Sequence, residues 1–186
     1  SKLKKTDDDS KTKDIDVPPI NPDDEPINYW WINANPKIWS ISKYNEGQRQ
    51  TYTTHNEKGN KRRIYKYFEA AKTGDLIIGY ESSPTKQIKA IYEVTKGIHN
   101  TTNGEEIEFE LVEKLEIPVH WNDLKNNPAL QNCEVFINNQ GSLFKLTEEE
   151  YDIIREITDN KNIIITVDPI KRYRFSEDPD KPFISE

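Results

Sequence analysis

Between Tyr29 and Trp39 the chain places three of its four tryptophans, together with Asn33, Asn35 and Pro36. Aromatic faces beside side-chain amides suit one kind of work. The rings stack on a flat heterocycle while the amides pair with donors and acceptors along its edge. Tyr29–Asn33 reads as a buried strand, because aromatic and β-branched side chains fit a pleated, half-buried surface. Pro36 cannot donate to a ladder and keeps Asn35 out of the helical region, so the strand stops there. The amides are thus delivered at the mouth of an aromatic strand. Taken alone, the stretch fits a core strand running into an ordinary turn at least as well.

Other reactive side chains give little chemistry. His55, His99 and His120 are scattered, and no pair has metal-ligand spacing. Cys133 has no partner signature and reads as a small buried thiol. No glycine-rich phosphate loop with its lysine is present, so an NTPase would have to lie outside this fragment. The acidic run Glu105–Glu116 reads as a solvated strand face, and Asp75 as a turn residue after Gly74. No catalytic residue, metal or cofactor is expected. The basic cluster of Lys58, Lys61, Arg62 and Arg63 is more informative. It precedes a helical pattern, so backbone N–H groups and guanidinium forks could hold a phosphate together.

The 186 residues suit one domain with tails. Formal charge is −7, but Arg49–Lys72 carries seven basic residues against two acidic ones, so the negative excess lies elsewhere. Residues 1–27 combine Asp7-Asp8-Asp9 with prolines and lysines and are too polar to repay ordering, which predicts a disordered tail. From 167 onward charge and proline return, and 167–186 reads as an exit linker. With one cysteine, no signal peptide and no membrane-length apolar run, a cytoplasmic protein without a membrane partner is expected. The absence of methionine and the initial Ser1 predict an excised piece of a longer chain.

Secondary structure must carry these side chains to one place. A helical turn is expected over 39–42, a polar stretch over 48–60, and an amphipathic helix over 61–72. Strands are expected over 76–80, 87–95 and 107–117, with a loop at 100–104 and imperfect alternation in the second strand. A helical turn is expected at 121–124, then short strands at 136–137 and 143–144. Thr147 and Glu150 form a capping box, with Leu146 as a staple to Tyr151. This strand-rich pattern with two helices predicts an α+β fold, a curved, mostly antiparallel sheet or open barrel flanked by helices.

Three fragments in this order carry a family resemblance: Tyr29–Pro36, Thr73–Ser82 and Gly141–Tyr151. They are similar to an EVE domain of the PUA-like superfamily, over about residues 28–158. Tyr52-Thr53-Thr54 followed by Gly59-Asn60-Lys61-Arg62 also resembles the related YTH domains, which read methyladenine. The resemblance implies a compact domain over 28–166 with a pocket for a modified base. It implies Asn33 and Asn35 as residues that hydrogen-bond the base, and Tyr52 with Thr53 on an aromatic wall where a tryptophan is usual. Tyr80, Glu81 and Ser82 would face them across the pocket. No tryptophan stands between Thr95 and Gly104, so Trp31, Trp39 or the 98–104 loop would complete the cage. Arg49, Lys58, Lys61, Arg62 and Arg63 would hold the nucleic-acid backbone. Residues 178–186 resemble linkers that join such readers to an AAA+ GTPase in McrBC-type modification-dependent restriction systems, where a separate nuclease is driven. The expected partner is modified duplex DNA. The alternatives are modified RNA, as in YTH domains, or a nuclease or base hydrolase of the ASCH kind, for which Glu81 would be the titratable group.

Overall fold

The aromatic stretch forms β1 (Tyr29–Ala34), and it lies inside the sheet, not at its edge. The computed structural model describes residues 25–176, with side chains as far as Ile163. The remaining elements are β2 (Arg49–Thr53), α1 (Tyr65–Ala70), β3 (Leu76–Glu81), β4 (Gln87–Thr101), β5 (Gly104–His120), α2 (Trp121–Lys125), α3 (Glu134–Ile137), β6 (Leu143–Leu146) and α4 (Glu148–Ser176). Short 3-10 turns stand at Ile41–Lys43 and Pro128–Leu130. Six strands make one sheet in the order β2-β5-β4-β3-β1-β6. All pairings are antiparallel except β1 with β3. This is the α+β architecture expected, a mostly antiparallel sheet flanked by helices.

Both faces of the sheet are covered. Alternation along β1 sends Trp30, Ile32 and Ala34 to one face, where Phe68 and Ile41 close the core. Trp31 goes to the other, under Leu124, Val135, Tyr151 and Ile154. A strand buried on both sides needs no polar face, so β1 and β3 read as continuous apolar runs. The imperfect alternation of β4 has a specific cause. Ile88 joins the Trp31 face and Ala90 the Trp30 face, although they are two residues apart, because the register slips at Lys89. A bulge of this kind bends the strand and lets one chain serve both cores.

Several expectations change. The polar stretch 48–60 contains an edge strand, β2, paired antiparallel to β5. The segment expected as a loop at 100–104 is only the tight turn of the long β4–β5 hairpin, closed by the Thr101–Gly104 pair. The helix expected over 61–72 is confined to Tyr65–Ala70. Lys61 bridges to His55, and the Arg62 N–H donates to the Thr54 carbonyl at 2.9 Å, so this run folds back along the end of β2. Ile64 then takes a left-handed conformation, φ 53°, and redirects the chain into α1. Phe136 and Ile137 lie in α3, not in a strand. Phe136 packs on the Trp121 ring at 4.6 Å, and that contact overrides its β preference.

The capping box forms: the Glu150 N–H donates to Thr147 Oγ1 at 3.1 Å, and the Thr147 N–H to Glu150 Oε1 at 2.9 Å. Leu146 and Tyr151 share one core. The α4 backbone continues to Ser176, past residue 166 where the domain was expected to end. Of the tail expected over residues 1–27 and the linker expected over 167–186, residues 1–24 and 177–186 lie outside the described residues.

Candidate nucleic-acid interface

Parallel pairing sets Ala34 opposite Glu81, so β1 and β3 finish at the same end of the sheet. The Ser82 N–H and hydroxyl both donate to the Ala34 carbonyl, at 2.8 and 3.2 Å, and lock the two exits together. The chain leaving β1 makes a tight turn. Asn35 Oδ1 accepts the Lys37 N–H at 3.0 Å, and the Asn35 carbonyl accepts those of Ile38 and Trp39 at 2.9 Å. Asn35 is exposed, and among the described residues its Nδ2 has no hydrogen-bond partner.

A cavity of about 500 Å³ opens beside this turn. Asn33, Asn35, Trp39, Tyr52, Thr53, Arg62 and Ser82 line it, with the 139–142 loop as one side. Trp39 meets the Tyr52 ring nearly edge-on at 6.4 Å, and Tyr52 lies parallel to Phe68 at 6.1 Å. Trp39 is therefore the tryptophan that stands in the cavity wall. Trp31 is fully buried in the core on the other face of the sheet, and the 98–104 segment faces a different hollow, with Asn100, Asn103 and Gly104. Nothing in the sequence places the 139–142 loop at this cavity. Only tertiary folding brings it here.

Asn33 reaches the cavity with its amide already spent. Its Oδ1 accepts the Trp31 indole N–H at 2.9 Å, and its Nδ2 donates to Asn139 Oδ1 at 3.0 Å and the Gly141 carbonyl at 3.1 Å. The expected base-reading amide is a strut between β1 and the loop. Asn33→Ala is expected to leave the Trp31 N–H unpaired and the loop unanchored, at a cost of about 1–3 kcal/mol. Urea denaturation would measure it, and an unchanged midpoint would refute the strut.

Glu81 is also displaced from its expected place. It is 1 % exposed, pairs with Lys89 Nζ at 3.0 Å, and accepts the Ser40 hydroxyl at 2.8 Å and the Ile41 N–H at 2.9 Å. It lines neither this cavity nor its neighbour. Tyr80 faces the neighbour, a hollow of about 450 Å³ that shares Asn35, Ser82 and Asn139 with the first and adds Lys37, Ser83, Lys86 and Trp121.

The basic run is dispersed. Arg62 turns inward: its guanidinium donates to the Thr53 carbonyl at 2.6 Å and to Thr53 Oγ1 at 2.9 Å, and lies 4.7 Å from the centre of the Tyr52 ring. It is part of the cavity, not of an outer phosphate patch. Arg63 donates to the Gln140 carbonyl at 2.7 Å, Lys61 sits 4.3 Å over the Tyr65 ring, and Arg49 pairs with Glu108 and Glu110 at 3.4 Å. Lys58 remains exposed on its turn. Because α1 begins only at Tyr65, no helix start stands behind these cations. Cys133 is buried, and burial pushes its thiol up to about 12, in keeping with an inert packing residue.

The fold and site define a small α+β domain, with an aromatic- and amide-lined cavity where two parallel strands end. The EVE domain family model matches residues 28–157, and the chain belongs to that family. Solved structures share the fold at low identity. Rpa0253 from Rhodopseudomonas palustris is 19% identical with a TM-score of 0.60, covering 72% of this chain and 94% of its own. A hypothetical protein from Leishmania major is 17% identical with a TM-score of 0.61, over 74% and 98%. Human THYN1, solved in complex with DNA containing 5-methylcytosine, is 16% identical with a TM-score of 0.57, over 70% and 97%. No curated protein matches the chain in sequence.

Proposed function

We propose that this domain is a non-catalytic reader that binds a modified base turned out of duplex DNA. The observation that carries it is the cavity at the shared end of β1 and β3, where Trp39, Tyr52 and the Arg62 guanidinium offer stacking surface and Asn35 offers free amide donors. Its volume falls within the range of small-molecule sites, roughly 300–1,000 Å³. Human THYN1, with the same fold, is the protein solved on methylcytosine DNA. Turning a base out costs a few kcal/mol of unstacking and unpairing, which stacking and edge hydrogen bonds must offset. The burial of Glu81 in its pairing with Lys89 favours binding over base hydrolysis, for which it was the titratable group. In its wider setting we place the domain as the targeting module of a cytoplasmic modification-dependent restriction system, alongside an AAA+ GTPase and its nuclease. The resemblance of residues 178–186 supports that placement.

A binding panel tests the reading, using one duplex with methylcytosine, hydroxymethylcytosine, methyladenine or no modification, and a matched modified RNA. One modified duplex is expected to bind best. Trp39→Ala and Tyr52→Ala should each weaken it by ~1–3 kcal/mol, the worth of an aromatic–base stack, while sparing weak binding to unmodified DNA. Equal losses on modified and unmodified duplex in well-folded variants would sink the pocket. A preference for the RNA would move the domain to the YTH-like alternative.

A further inference from the structure

The second hollow contains two lysines that the sequence keeps far apart. Lys37 stands just beyond β1 and Lys86 just before β4, and the parallel pairing of β1 with β3 brings both turns to one edge. Each turn is fixed. The Lys37 N–H is held by Asn35 Oδ1 at 3.0 Å, and the Lys86 carbonyl accepts the Trp121 N–H at 2.8 Å. Among the described residues, ion pairs occupy Arg49, Lys72, Lys89, Arg155 and Lys161, and leave Lys37 and Lys86 out. The lining holds no carboxylate: beside the lysines are Asn35, Ser82, Ser83, Asn139, Tyr80 and Trp121. Burial raises the Tyr80 hydroxyl to about 12, so it stays a proton donor at neutral pH. In a chain of net charge −7, this is a hollow of cations and neutral donors. It selects for an anion.

The hollow adjoins the aromatic cavity through Asn35, Ser82 and Asn139. A base seated in the aromatic cavity carries its own phosphates within one nucleotide's reach. We propose that the second hollow is a phosphodiester subsite, in which Lys37 and Lys86 grip the backbone phosphate of the nucleotide whose base occupies the first. This inference rests on the base-binding reading. It moves the main phosphate contact from the 58–63 run to two residues on the strand exits.

The test uses the modified duplex that the panel selects, with each phosphodiester flanking the modified base replaced in turn by a neutral methylphosphonate. At one position the replacement should weaken wild-type binding about tenfold, the scale of one charge-assisted hydrogen bond. The variant Lys37→Gln/Lys86→Gln should bind the unsubstituted duplex about tenfold more weakly and be indifferent to that methylphosphonate. Its preference for modified over unmodified base should persist. Both lysines are exposed, so a thermal melt should show the variant folded like the parent. The subsite is overturned if the variant binds like wild type, or if the methylphosphonate weakens both proteins equally. A wild-type protein without any base preference would instead overturn the base-binding reading, and the subsite with it.

Discussion

Asp75→Ala is expected to destabilise the domain by about 3–5 kcal/mol, although Asp75 lines neither of the two hollows at the strand exits. Its carboxylate is fully buried and accepts four hydrogen bonds: the Asn28 N–H at 2.8 Å, Asn28 Nδ2 at 3.2 Å, the Trp30 indole N–H at 2.9 Å and the Lys72 N–H at 2.9 Å. Each donor left without a partner in the interior costs about 1–3 kcal/mol, and neighbouring losses do not simply add. The alanine would strand the indole of the fully buried Trp30 and loosen the entry to both β1 and β3. Asp75→Asn should recover only part of the loss, because its amide keeps one acceptor oxygen and points a donor at other donors. Chemical denaturation at neutral pH measures this directly. An alanine variant within about 1 kcal/mol of the parent would show that water replaces the carboxylate without penalty.

Removing Glu81 should be comparably costly and should reach the site as well. Burial by itself pushes its carboxyl up. Hydrogen bonds from Lys89, Ser40 and Ile41, together with the Lys89 charge, outweigh burial and hold it below the usual glutamate range. Breaking a buried ion pair by deleting one partner costs about 3–5 kcal/mol, since the other charge is left in the interior. Among the described residues, Lys89 would retain only the Ser42 hydroxyl at 2.7 Å. The Ser40–Ile41 turn after Trp39 would lose its anchor, so Glu81→Ala should weaken modified-base binding as well as stability. The pH dependence has a definite sign. A depressed folded-state value means that the stabilisation is complete above the unfolded value, about 4.3, and is lost as pH falls through the folded one. Melting temperatures from about pH 7 down to about pH 3 should therefore fall more steeply in the parent than in Glu81→Gln. Parallel curves would remove Glu81 from the acid response.

Local signals in the chain were legible. The aromatic run became β1, the apolar run at 76–80 became β3, and Thr147 with Glu150 marked the start of α4, because each signal is set by neighbours a few residues apart. The opposite failures share a cause. Ile64 has helical spacing with Tyr67, Phe68 and Ala71, yet the Lys61 and Arg62 backbone just before it finds partners at the end of β2, and the helix begins only after Ile64. Phe136 has a strand former's side chain, yet the Trp121 ring holds it in a helix.

For the site, residue type and the end of the first strand pointed to Asn35 and Trp39, and the family resemblance implied Tyr52 and Ser82; all four line the cavity. Direction and partnership were beyond it. A side chain faces ligand or core according to a pleat whose parity shifts at bulges, and a polar group is free or spent according to residues tens of positions away. Trp31 went to the core, the Asn33 amide to the 139–142 loop, Glu81 to Lys89, and Arg62 to Thr53. Amino-acid order was enough to set the chemistry available: aromatic rings, amides and cations in an acidic chain. Which of them meet was left to long-range packing. The parallel β1–β3 pairing is such a contact, and it alone sets the exits of two distant strands, with Lys37 and Lys86, around one mouth.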